Sequence, residues 1–243
     1  MTSIDVKLLP IFDDNYVFFI TRLESKTCVV VDPGDAAPVQ DYLEKNGLTL
    51  RAILLTHHHD DHIGGALELK QRWHVPVYAP LKNQAQISFA TDYLSEGQSI
   101  TLLDKNLKLQ VLELPGHTLG HIAFFEPQYK WLFSGDVLFG LGCGRLFEGT
   151  FTEGYETMQR VKALPDETLV YCAHEYTETN LRFCKRLTTF ADLSAYEKDL
   201  IAKRNLGRPS VPLKLLTEKS VNPFLLATDV EQFTTLRKLR NQG

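Results

Sequence analysis

The stretch Thr56–Gly65, reading THHHDDHIGG, constrains this chain more than any other. His57, His59, Asp61 and His62 are all good ligands for a divalent ion, and the apolar run Ala52–Leu55 before them reads as a buried strand. The ligand candidates therefore begin where a strand ends. In a chain that is still extended, residues two apart point the same way, so His57 and His59 converge while His58 turns elsewhere. Beyond Asp61 the spacing of Ile63, Ala66, Leu67 and Leu69 is helical, and Gly64 and Gly65 permit close packing at the helix start. Asp61 and His62 then face a different point from His57 and His59. One loop can thus supply parts of two metal sites, whereas a solvent-facing polar loop has no need of this density of ligands.

The rest of the chain repeats the theme of strands that end on such residues. Three strand-like runs, Val6–Leu9, Tyr16–Thr21 and Thr27–Val31, lead to a turn at Asp32-Pro33-Gly34-Asp35. There Asp35 can cap a helix striped by Val39, Tyr42 and Leu43 and stopped by Gly47. A helix from Ile63 to about Trp73 follows THHHDDH, then a strand from Val75 to Tyr78 and a stretch without clear periodicity through Ser99. Alternation returns from Leu107 to Leu114 and ends at Pro115-Gly116-His117. A hairpin-like pair, Ile122–Phe125 and Lys130–Phe133, ends at Ser134-Gly135-Asp136. A glycine-rich loop, Gly140–Gly149, a helix from about Thr152 to Leu164 and a strand Thr168–Ala173 then run into His174.

From about Thr177 onward the signals are helical, over Glu178–Thr189, Ser194–Leu206 and Asp229–Arg240, with a proline-containing connection from Arg208 to Pro223. Ser194 with Glu197, and Thr228 with Glu231, have the spacing of reciprocal helix caps. The expected organisation is a catalytic domain over residues 1–175 and a helical, substrate-binding region over residues 176–243.

A chain of 243 residues that is 44% hydrophobic can bury a substantial core. Its net charge of -4 argues against nucleic acid as a partner. Cys28, Cys143, Cys172 and Cys184 are scattered without a CxxC pair, which argues against a disulfide framework and a thiolate zinc site. The N-terminal residues lack the basic start and apolar core of a secretory signal, and no apolar run is long enough to span a bilayer, so a soluble cytoplasmic protein, acting as a monomer away from membranes, is expected.

Five histidines and two aspartates suit two ions better than one. A single catalytic zinc takes about three protein ligands and an open position, whereas paired metals about 3.5–4 Å apart need roughly twice as many and a shared carboxylate. We assign His57, His59 and His117 to the first ion and Asp61, His62 and His174 to the second, with Asp136 bridging. Water between such ions has its pKa lowered to about 7, which makes hydroxide available to attack a carbonyl or phosphoryl centre without a serine or cysteine nucleophile. Hydrolysis is the implied chemistry.

The segments THHHDDH, PGHTLGH with His117, SGD with Asp136 and CAHEYT with His174 resemble the metallo-β-lactamase superfamily. Beyond these, FDDNY, VDPGD, LGCGRLFEGT and CAHEYT resemble glyoxalase II, the hydroxyacylglutathione hydrolases, and the resemblance covers nearly the whole chain. It implies a four-layer αβ/βα sandwich with a C-terminal helical appendage and two divalent ions, zinc first and iron or manganese as alternatives. It also implies hydrolysis of S-D-lactoylglutathione to glutathione and D-lactate, the second step of methylglyoxal detoxification, with Asp61 and Asp136 catalytic as well as ligating.

The resemblance assigns the glutathione contacts to Arg145, Tyr176, Arg237 and Arg240, and to Phe147 at a place where some relatives have tyrosine. Arg240 and Asn241 stand where the family's ending has lysine and aspartate. Without the resemblance, Arg237 and Arg240 would read as cations that favour the dipole of a last helical turn. His58, His74 and His121 are left as non-ligands, and Cys143 as structural. The rival readings are a persulfide dioxygenase using one iron, a lactamase or phosphodiesterase, and a non-catalytic metal-binding module.

Overall fold

A computed structural model describes residues 3–187 and 191–242, which fall into two compact units. One unit runs to Glu113 and takes in Gly120–Gln128; the other comprises Leu114–Leu119 and the chain from Tyr129 onward.

In the first unit, β1 (Ile4–Ile11), β2 (Asn15–Arg22) and β3 (Thr27–Val31) form an antiparallel meander. After β3 the chain rises through α1 (Ala36–Asn46), and β4 (Thr49–Leu54) returns parallel to β3. Asp35 caps α1 by accepting from the N–H of Ala37, and Gly47 ends it at φ 60°, a left-handed conformation that glycine adopts without steric cost. Two short helices follow, α2 (Asp60–Ile63) and α3 (Ala66–Trp73), then β5 (Val77–Pro80) and β6 (Asp92–Leu94), which extend the sheet in parallel. The core on the helix side draws on Val17, Phe19, Val30, Val39, Leu43, Ile53 and Leu69, all buried. β7 (Ser99–Leu102), β8 (Leu107–Glu113) and β9 (Ile122–Glu126) make a second antiparallel meander.

The helix expected from Ile63 to Trp73 is therefore two, and the glycines are the cause. An added Cβ at Gly64 would lie 2.5 Å from the carbonyl oxygen of Gly34, and one at Gly65 would lie 2.4 Å from the backbone nitrogen of Ala36. The Gly65 N–H donates to the Pro33 carbonyl at 2.9 Å. The chain here packs backbone to backbone against the turn at residues 32–36 instead of continuing its helix. β6 and a 3-10 turn at Leu81–Asn83 fall in the stretch that lacks periodicity.

In the second unit, β10 (Trp131–Gly135) leads through the small hairpin of β11 (Leu138–Phe139) and β12 (Gly142–Cys143) to α4 (Phe151–Lys162). Thr150 and Glu153 form a full capping box at the start of α4. β13 (Leu169–Cys172) pairs parallel with β10, so both strands end at one edge. The remainder is α5 (Thr177–Cys184), α6 (Ser194–Asn205), β14 (Leu213–Lys214), α7 (Leu215–Val221), α8 (Pro223–Leu226) and α9 (Val230–Asn241). Thr188 and Thr189, at the end of the first helix expected there, lie outside the described residues.

Both expected caps in this region shift. Asp192 accepts the Ser194 N–H and hydroxyl, which leaves Ser194 inside α6 instead of capping it with Glu197. At α9, Asp229 accepts from the Gln232 N–H while the Gln232 side chain accepts from the Thr228 N–H, a reciprocal pair one residue on from Thr228 and Glu231. A carboxylate beside a hydroxyl is the stronger acceptor, and it wins at both ends. Among the described residues, no helix is long and apolar enough to cross a membrane.

A Cβ at Gly34 would fall 1.9 Å from the Asp61 carbonyl oxygen, a clash with backbone that cannot swing aside. Gly34→Ala is expected to lower unfolding stability in urea by about 1–3 kcal/mol, the cost of overpacking a rigid contact; unchanged stability would show that these loops part freely.

Candidate metal centre and substrate pocket

In the first unit, His57 follows the end of β4 and His62 sits in α2. Their common anchor is Asp32, which is buried at 4% exposure. It accepts from the Thr56 N–H at 2.8 Å, from the Thr56 hydroxyl at 2.7 Å and from His62 Nδ1 at 3.0 Å. These contacts fix tautomers. A carboxylate only accepts, so His62 carries a proton on Nδ1, and in the neutral ring Nε2 presents the lone pair. The Thr56 hydroxyl, having donated to Asp32, accepts from His57 Nδ1 at 3.0 Å, and His57 likewise presents Nε2.

That nitrogen lies 3.1 Å from His59 Nδ1, a separation that calls for a shared proton or a shared cation. The His62 Nε2 is 3.5 Å from Asp61 Oδ2, which also accepts from the Asn15 amide at 2.9 Å. His57, His59, Asp61 and His62 thus lie together, with the His57 and His62 ring centroids 4.1 Å apart, although their spacing in sequence predicts two separate facings. His58 turns away to Asn83, and the His121 ring stacks on His57 with centroids 4.8 Å apart.

In the second unit, Asp136 follows directly on β10 and His174 lies two residues past β13. His117 Nδ1 donates to the Arg145 carbonyl at 2.7 Å, so in the neutral ring its Nε2 carries the lone pair. This Nε2 is 3.2 Å from Asp136 Oδ2, while His174 Nε2 is 3.3 Å from Asp136 Oδ1. A buried carboxylate therefore has a ring nitrogen before each oxygen. Each contact needs a proton or a cation between nitrogen and oxygen, and a cation on either side of the carboxylate would meet that need.

A cavity of about 240 Å³ in the same unit is lined by Phe139, Cys143, Arg145, Tyr176, Asn180, Arg237, Arg240 and Asn241. It gathers the four cation and tyrosine positions expected from sequence. Tyr176 stacks flat on His174, centroids 4.8 Å apart, and so joins the cavity to a ligand candidate. Burial and the neighbouring Arg237 and Arg186 push the Arg240 guanidinium below its usual pKa, the signature of crowded cations that suit an anionic ligand.

Arg237, expected as a glutathione contact, lines the cavity and is also tied to the backbone. It is 5% exposed, and its Nη1 donates to the Cys143 carbonyl at 2.7 Å. Phe147 is outside the cavity lining; its exposed ring meets His117 edge-on at 5.3 Å and lies under the Arg145 guanidinium. Burial raises the Cys143 thiol above its ordinary pKa, against the pull of Arg237, which suits a structural thiol and not a nucleophile. Asn15, Asp32, Phe139 and Asn180 were not singled out from sequence. Asp32 and Asn15 stand in motifs read there as turns, and nothing local distinguishes Asn180 from other helix residues.

A family model described as the metallo-beta-lactamase superfamily matches residues 11–174, and one described as hydroxyacylglutathione hydrolase C-terminus matches residues 175–243. A Bdellovibrio bacteriovorus protein named hydroxyacylglutathione hydrolase is 58% identical over 246 residues, which cover 98% of this chain and 97% of that protein. The crystal structure of ETHE1 from Myxococcus xanthus aligns with a TM-score of 0.72 at 26% identity, over 96% of this chain and 90% of that one. A further crystal structure, of a protein in a di-iron-bound form, aligns with a TM-score of 0.57 at 29% identity, over 70% of this chain and 91% of that one.

Asp32→Ala would leave the Thr56 N–H, the Thr56 hydroxyl and His62 Nδ1 without their acceptor. At about 1–3 kcal/mol for each buried group left unsatisfied, a loss of at least about 3 kcal/mol is expected in equilibrium unfolding. A variant as stable as the parent would show that this carboxylate does not organise the loop.

Proposed function

Since the chain belongs to the hydroxyacylglutathione hydrolases of the metallo-beta-lactamase superfamily, and so is a thioester hydrolase, we propose how its residues act on S-D-lactoylglutathione to release glutathione and D-lactate. Its His and Asp groups suit a dinuclear metal centre. In our reading His57, His59 and His117 would hold one ion, Asp61, His62 and His174 would hold the other, and Asp136 would be shared between them. The observation that carries this reading is Asp136, with one oxygen toward His117 Nε2 and the other toward His174 Nε2. Zinc is the first choice for such nitrogen and carboxylate donors, which accept iron and manganese as well.

Ions bound there would acidify a water toward neutral pH and supply positive charge where the carbonyl oxygen gains negative charge. The chain's own residues orient and bind. Asp61, held by Asn15, and Asp136 orient the attacking water. Arg145 and Arg240 hold the carboxylates of the glutathione part by charge-assisted hydrogen bonds, and Tyr176, stacked on His174, sets the thioester beside the ligands. The leaving thiol has an ordinary pKa near about 8.5, so its thiolate departs without a general acid.

In this reading residues 1–175 carry the ligands and residues 176–243 mainly hold substrate, with Arg145 the exception. Four buried cysteines suit a reducing compartment, and we place the activity in the cytoplasm.

Purified, metal-loaded protein should hydrolyse S-D-lactoylglutathione in an assay of thiol release. Asp136→Ala should bring turnover to background, and full activity in that variant would sink the bridging assignment. Arg240→Ala should raise KM about tenfold or more with kcat nearly unchanged, the loss of a charged hydrogen bond made equally in ground and transition states. An unchanged KM would move the glutathione site elsewhere.

A further inference from the structure

The hairpin turn between β11 and β12 is held along its length by side chains from the C-terminal helices. The Asn222 amide donates to the Phe139 carbonyl at 3.1 Å and to the Gly142 carbonyl at 3.0 Å. Asn180 donates to the Gly140 carbonyl at 3.0 Å, and the Cys184 thiol approaches the Leu141 carbonyl at 3.5 Å. The Leu141 N–H donates to Glu218 Oε2 at 2.8 Å. Leu141 is buried at φ 56°, a left-handed conformation that costs a branched residue free energy and persists only where the surroundings impose it.

The surroundings here are Glu218 and Asn222. Glu218 is buried at 1% exposure and accepts from Leu141, from the Tyr196 hydroxyl at 2.7 Å and from the Asn222 amide at 3.0 Å. Burial raises its pKa, and these three donors oppose the rise by favouring the carboxylate. The two side chains therefore form one buried unit, Glu218 holding a backbone donor of the turn and Asn222 two of its acceptors.

Both ends of this turn carry parts of the candidate centre. On one side Asp136 lies two residues before β11. On the other the Arg145 carbonyl, two residues past β12, is the acceptor that sets the His117 tautomer. The two sides are tied together by the Gly144 N–H, which donates to the Val137 carbonyl at 3.0 Å. There is no slack in that tie. A Cβ on Gly144 would lie 1.9 Å from the Asp136 carbonyl oxygen.

We propose that Glu218 and Asn222 are positioning residues for the metal centre, holding the turn at residues 139–144 so that Asp136 and the carbonyl that orients His117 keep their ligand geometry. The inference rests on the metal-centre reading above. Neither residue touches substrate or ion; they act through the backbone of the turn. Partners of this kind, which orient ligands without binding the ion, typically contribute about 10–100-fold in metal affinity.

The test is chelator competition for zinc with the full chain, together with the visible spectrum of the cobalt-substituted protein and the split between kcat and KM. Glu218→Ala should weaken metal retention about 10–100-fold, alter the cobalt bands and lower kcat more than it changes KM. Glu218→Gln should restore all three, since its amide oxygen can accept from Leu141 and Asn222 while its NH2 donates to Tyr196. Asn222→Ser keeps an oxygen to cap α8 but removes both donors to the turn, and should weaken metal retention in the same direction if Glu218→Ala fails to fold. A folded Glu218→Ala or Asn222→Ser protein with parental zinc affinity and cobalt spectrum would overturn the inference while leaving the centre intact. A parent chain that binds no divalent ion would overturn the metal-centre reading and this inference with it.

Discussion

A carboxylate with both oxygens directed at imidazole nitrogens needs a proton or a cation in each of the two contacts. Asp136 is in that position, buried, with His117 and His174 on its two sides. His117 cannot change tautomer at no cost, since its Nδ1 already donates to a backbone carbonyl. The same logic recurs at His57 and His62, where Thr56 and Asp32 take the other ring proton. Within each unit, ring nitrogens set by a partner on the far side of the ring are what a cation needs, and in our reading the hydrolytic chemistry follows from it.

Holding such a set is the task of the polypeptide around it. Asp32 draws together a strand end and a helix start by accepting three hydrogen bonds, and three glycines let those two backbones touch. At Asp136 the parallel pairing of β10 with β13 brings the strand ends that precede Asp136 and His174 to one edge. The turn that follows is gripped by Glu218, Asn222, Asn180 and Arg237. Asn180 and Arg237 also line the cationic cavity, so the region matched by the hydroxyacylglutathione hydrolase C-terminus model is fastened to the segment that bears a ligand candidate.

The ligand candidates were legible in sequence because ligation chemistry allows few residue types, and because His57, Asp136 and His174 sit just past strands with clear apolar patterns. Strands β1 to β5 of the first sheet were legible from apolar patterns of the same kind, whereas the short β6 was not. What was not legible depends on tertiary contact. The break between α2 and α3 arises from packing of Gly64 and Gly65 on a turn some thirty residues earlier. The caps of α6 and α9 shifted because Asp192 and Asp229 outcompete the neighbouring hydroxyls. The tie of the Arg237 guanidinium to the Cys143 carbonyl, a partner 94 residues away in sequence, also gave no local signal. Glu218 and Asn222 gave no local signal, since a carboxylate and an amide four apart on a helix are ordinary surface chemistry until they are buried.

The most direct test of the dinuclear reading is a metal titration of chelated protein in which bound metal, measured by elemental analysis, and thioester cleavage are followed together. Two ions per chain, with activity rising in step with metal and reaching its plateau as the second site fills, is the predicted result. Full activity with one ion bound, or saturation at a single ion per chain, would contradict the shared role of Asp136.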